Sequence, residues 1–223
     1  MLSLLTVLQH ADTAFPSGAF AFSNGLEGVS TLGRKIDRDA LQDLVGSVLL
    51  HRWTPFDRVA LARSHRAGTD LDALIAVDRE VEIANVVEPL RTGSRRNAGA
   101  LLAAHVRIGT PGAERLLGTI RSGGLVGHLT TVQGYLWRET GIAEGEALGI
   151  SAYQTAGGLV AAAVRLGQLG AIDAQKVLAA VIPLAAEAAA RSVEDWERLS
   201  SATPFMDIAV MRHARADLKL FAN

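Results

Sequence analysis

The sequence has no cysteine, which excludes disulfide frameworks, thiolate metal sites and cysteine nucleophiles and is compatible with a reducing compartment. It also lacks an excess of either charge. Its 22 basic and 23 acidic residues leave a net charge of −1, so there is no overall field to capture nucleic acid or an anionic membrane. Aromatic residues make up only 5% against 49% hydrophobic, so the apolar content is mostly Ala, Leu and Val, the composition of packed helices, and a disordered chain is excluded. No basic leader precedes the apolar start at Met1 to Leu8, and Gln9, His10 and Asp12 follow, so no signal peptide is expected and the expected location is cytoplasmic. Residues 147–164 carry no formal charge and reach the length of a membrane span. Ser151, Tyr153, Gln154, Thr155 and Gly157-Gly158 dilute them, however, and they read as a buried helix.

What the chain does have is helical periodicity along almost its whole length. Leu41, Leu44, Val45, Val48 and Leu49 follow Asp37, which is placed to cap the first amides of a helix. Thr69 or Asp70 is placed to cap a second helix through Leu74, Ile75 and Ile83 that should stop near Pro89. Further helices are predicted over residues 2–10, 55–67, 93–108, 112–121, 146–166 and 173–199, with a short one after Thr203-Pro204. With no alternating strand pattern, the predicted class is all-α, a single compact multi-helix domain over residues 1–223. Gly157-Gly158 with Ala161 to Ala163 offers a small-residue surface for a close helix crossing, within the chain or with a second copy, and Ser122-Gly123-Gly124 reads as a loop or hinge.

Catalytic spacings are missing. There is no phosphate-binding loop, dinucleotide fingerprint, nucleophile elbow or metalloprotease histidine pair. The six histidines are scattered singly, none a helical turn from another, so no metal site is predicted. Asp78, Glu80 and Glu82, and likewise Arg91, Arg95 and Arg96, read as solvated helix faces, as do Glu187, Glu194, Asp195 and Glu197 with Arg191 and Arg198. Residues 12–27 stand apart, because they gather Phe15, Phe20 and Phe22 beside Pro16, Gly18 and Gly25. Either the loop plugs its rings into the core, with Ser23 or Asn24 capping the next helix, or it is an aromatic docking epitope.

Pro16, Gly18, Phe20, Ser23 and Gly25-Leu26-Glu27 resemble the N-terminal pattern of the UreF family of urease accessory proteins. Tyr153, Ala161, Ala163 to Leu166, Leu169-Gly170 and Gln175 resemble that family's late-helix stretch, and Asp207 to Ala209, Met211, His213, Leu218 and Leu220-Phe221 its C-terminal signature. The chain departs from the family pattern at Ala214, where a Glu is common, and at Gly170-Ala171, where Gly-Gln is common. The resemblance implies an all-helical homodimer without catalytic residues or cofactor. Such a protein joins UreD (also called UreH) and the GTPase UreG on the urease apoprotein and couples GTP hydrolysis to nickel insertion. It also implies partner-binding roles for Phe20, Phe22, Ser23, Glu27, Arg165, Asp207, Met211, His213 and Phe221. Residues 204–223 are amphipathic and read as a partner-binding tail or as a helix docked on its own domain. Two other classes stay open: a helical hydrolase using Ser17 or Ser23, and a nickel carrier whose histidines are gathered by folding.

Overall fold

The structure, a computed structural model, describes residues 1–18, 22–32, 36–215 and 220–221. Its elements are α1 (Leu2–Ala11), α2 (Leu26–Thr31), α3 (Arg38–Val48), a π-helical segment (Leu49–Asp57), α4 (Arg58–Ala67), α5 (Leu71–Ala84), α6 (Glu88–Arg107), α7 (Ala113–Arg121), α8 (Leu129–Glu139), α9 (Glu144–Arg165), α10 (Ala171–Ala190) and α11 (Pro204–His213). No strand occurs among the described residues, and the all-α class holds. The Asp37 carboxylate accepts the Ala40 amide at 2.9 Å and starts α3. Asp70, not Thr69, caps α5 through the Asp72 and Ala73 amides at 3.1 Å. α5 ends at Ala84, earlier than predicted, and Pro89 lies in the first turn of α6, where its missing N–H costs nothing.

α8 lies at the centre and was not predicted. Every residue from Thr130 to Trp137 is buried, so the helix carries no polar stripe from which a period could be read. α4 crosses it backbone to backbone at Gly134, where a Cβ would stand 2.7 Å from the Leu61 carbonyl oxygen. One apolar cluster packs α3, α4, α9 and α10 together, and a second joins α6, α7 and α8. α9 is long and apolar enough to cross a membrane, but 56% of its most apolar window is buried inside the protein, as its diluting polar residues suggested. At Gly157-Gly158 the described residues of the chain make no close crossing. Nothing lies within 4 Å of a Cβ on Gly157, and Gly158 meets only the Asn24 amide at 3.5 Å.

Pro55 does not start a helix as predicted but sits inside one continuous rod. Its missing N–H removes one bond from the rod, and on either side of it the Ala202 amide bonds the His51 carbonyl at 2.9 Å and the Ser200 amide bonds the Pro55 carbonyl at 3.1 Å. Buried Arg58 fastens the same stretch. It donates to the Arg191 and Ser192 carbonyls at 3.0 and 2.9 Å and pairs with Glu197 at 2.5 Å. For that reason α10 stops at Ala190 rather than running to residue 199, and Glu197 is not part of a solvated face.

At the other end, α1 is held by rings. His10, Phe15 and His105 form a triangle with centroids 5.0 to 5.3 Å apart.

Candidate functional site

α2 is short and packs directly on α11. Gly25, at φ +90°, opens it in a conformation that a side chain would strain. A Cβ on Gly28 would fall 2.1 Å from the Ala209 carbonyl oxygen, so the two backbones touch. The first and last motif stretches of the sequence therefore meet in space. Ser23 is buried and its Oγ accepts the Glu27 amide at 3.3 Å, which makes it a cap of α2.

Glu27 is the hub of this corner. Its carboxylate accepts the Leu220 amide at 2.7 Å and the Phe221 amide at 3.0 Å, tying the end of the described chain to α2 across more than 190 residues. His213 is fully buried, with Nε2 3.2 Å from Glu27 Oε2 but out of line for a hydrogen bond. Phe221 is buried under the Arg165 guanidinium, whose carbon stands 4.2 Å from the ring centroid. That contact brings in the late-helix stretch, so all three motif regions converge here. On the outer side Phe205, Ile208, Met211 and Leu220 are exposed.

Beside the corner is a cavity of about 210 Å³ bounded by the loop before α2, the π-helical segment, α6, α8, α9 and α11. Phe22 and Asp207 line it. Burial pushes the Asp207 carboxyl above the ordinary carboxylate range, an effect that Arg52 and the Thr203 hydroxyl oppose.

Of the residues singled out in the sequence, Glu27, Arg165, His213 and Phe221 are brought together, and Ser23 supports them. Phe22 and Asp207 face the cavity, Met211 faces solvent, and Phe20 lies outside the described residues. Phe22 plugs inward against Gly93, and Phe15 joins the histidine triangle, so these two rings take the core-plugging role. Ser17 lines the cavity, whereas the Ser23 Oγ is engaged by an amide.

The reading of Asp78 and Glu82 as a solvated face is wrong. Asp78 is fully buried and accepts the Val126, Gly127 and His128 amides at 2.7, 2.9 and 2.9 Å, while Glu82 meets buried His128 Nε2 at 2.7 Å. Ser94 Oγ lies 3.2 Å from His128 Nδ1 and also accepts the Leu129 amide at 3.0 Å. Asp78 thus takes up the amides of the turn that leads into α8, and Ser94 the first amide of the helix itself, groups that would otherwise be stranded. Sequence reasoning missed them because their partner helix was itself missed. No group of three or more His, Asp or Glu residues able to hold a metal ion occurs among the described residues.

The sequence pattern of the UreF family matches residues 36–182. The chain is 30% identical to the urease accessory protein UreF of Trichodesmium erythraeum, over 98% of this chain and 96% of that protein. It is 33% identical to UreF of Roseobacter denitrificans, over 98% and 93%. With UreF of Actinobacillus pleuropneumoniae the identity is 28% over the full length of both. The three motif stretches, the corner in which they meet and this full-length similarity agree, and the chain belongs to the UreF family of urease accessory proteins.

Proposed function

We propose that this chain works as a non-enzymatic assembly protein in the cytoplasm. It joins UreD (UreH) and the GTPase UreG on the urease apoprotein and couples GTP hydrolysis to nickel insertion. The observation that carries the reading is the α2–α11 corner. Residues from three distant stretches spend their polar groups on holding the end of the chain in place, with Glu27 bonding the amides of Leu220 and Phe221. What the corner offers outward is a set of exposed apolar side chains, Phe205, Ile208, Met211 and Leu220. Such a set recognises another protein rather than a small substrate.

The test is a pull-down of UreD by the full chain, by a form ending at residue 213, and by Ile208→Asp. The expected result is loss of capture in both altered forms with the helical circular dichroism retained. Unchanged capture by both would reject the role of the corner. Restoration of urease activity by this reading frame in a deletion strain supplied with nickel tests the wider reading. The homodimer is read by sedimentation of the purified chain.

A further inference from the structure

The charges around the cavity do not balance. Among its described lining residues, Arg52, Asp57 and Asp207 are the charged ones. Arg52 Nε lies 3.5 Å from Asp57 Oδ2, and the guanidinium is laid over the Phe56 ring at 3.9 Å. Two carboxylates thus share one cation, leaving an excess of one negative charge. Asp207 itself accepts a long hydrogen bond from the Thr203 hydroxyl, at 3.4 Å. Burial raises both carboxyls from their ordinary range, with Arg52 opposing it; a bound cation would relieve that cost.

A second observation is independent of the charges. Asn97 Oδ1 and Thr130 Oγ1, on residues only 8% and 6% exposed, have no hydrogen-bond partner among the described residues. Both residues line the same cavity, and so do the apolar Leu90, Leu159, Met206 and Val210. Unused acceptors beside unbalanced carboxylates suit a cation that donates several hydrogen bonds, and the apolar walls suit methylenes. A volume of about 210 Å³ is several times the roughly 30 Å³ share of one water, enough for a short chain.

We propose that this cavity binds a primary alkylammonium group, with Asp207 and Asp57 supplying the counter-charge and Asn97 and Thr130 accepting hydrogen bonds. The group belongs either to a free small amine or to a lysine side chain offered by a partner. The site is a property of the isolated chain, so its failure would leave the urease-maturation reading standing.

Calorimetric titration of the full chain with n-butylamine hydrochloride and with Nα-acetyl-lysine N-methylamide tests the proposal, with tetramethylammonium as a cation that lacks N–H. The expected result is saturable one-site binding of at least one amine. It should weaken about tenfold or more in Asp207→Asn, the loss expected for a hydrogen bond to a charged group, and severalfold in Thr130→Val. Tetramethylammonium should bind at least about tenfold more weakly, for the same reason. Stronger binding of butylamine assigns the site to a free amine, and equal or stronger binding of the blocked lysine assigns it to a partner's side chain. No binding of either, equal binding of tetramethylammonium, or affinity unchanged by the substitutions overturns it. Thr130→Val keeps the side-chain shape and decides the matter should Asp207→Asn fail to fold.

Discussion

Two glycines let helices touch backbone to backbone in this protein, and they do so in opposite surroundings. Gly134 joins α8 to α4 at the centre, where every neighbouring residue of α8 is buried. Gly28 joins α2 to α11 at the edge, with a six-residue helix on one side and an exposed apolar face on the other. The edge contact is the tighter of the two, 2.1 Å against 2.7 Å for an added Cβ. The central one has nowhere to go. Closeness of approach therefore says little about the cost of disturbing it. What matters is how far the surroundings can yield.

That contrast can be broken by experiment. Gly134→Ala should have the largest effect, a loss of about 3 kcal/mol or more in urea denaturation, because the added methyl meets the backbone of a fully packed helix. Acid should act elsewhere, through the ring triangle that holds α1. Burial, with His10 adding to it, pushes His105 down to about 4 from 6.5, and burial lowers His10 as well. A folded-state pKa below the unfolded value means that the stability is full above pH 6.5 and drains away as pH falls from 6.5 to about 4. Roughly 2 kcal/mol should be lost between pH 7 and pH 5, and His105→Leu should flatten that slope in a pH series of thermal melts. Gly28→Ala should cost less than Gly134→Ala, about 1 to 2 kcal/mol despite the shorter contact, since α11 can lift away. A larger global loss from Gly28→Ala than from Gly134→Ala would invert the comparison. Glu27→Gln should have the smallest effect, about 1 kcal/mol or less globally, yet amide exchange at Leu220 and Phe221 should quicken clearly. Unchanged protection there would mean that the carboxylate does not hold the chain end.

The sequence was most informative where an element has both a wet and a dry side. Asp37 and Asp70 cap the helices that their spacing predicts, because a cap is a local event decided within three residues. α8 was invisible for the opposite reason. A helix buried all round has no stripe, and Thr130-Thr131-Val132 is a run that helices do not favour. Losing α8 also hid Asp78 and Ser94, since their work is to take up the amides of the turn into that helix and of its first residue, and nothing near them in sequence hints at that partner. At the corner the motif residues could be named but not joined: Glu27 and Phe221 meet through a fold, not a spacing. Gly157-Gly158 has no close neighbour among the described residues of the chain, because small residues in a helix permit one without requiring it.

The stretch between α10 and α11 has no helix of its own, yet it is stitched to the rod beneath it by the carbonyls at His51 and Pro55 and by the guanidinium of Arg58. Peeling it off would break both of those bonds and take three acceptors from buried Arg58, so its attachments should give way together. Slack in the sequence is thus a strap in the molecule, and α11 starts at a fixed height because the residues just before it are bonded to the rod at His51 and Pro55.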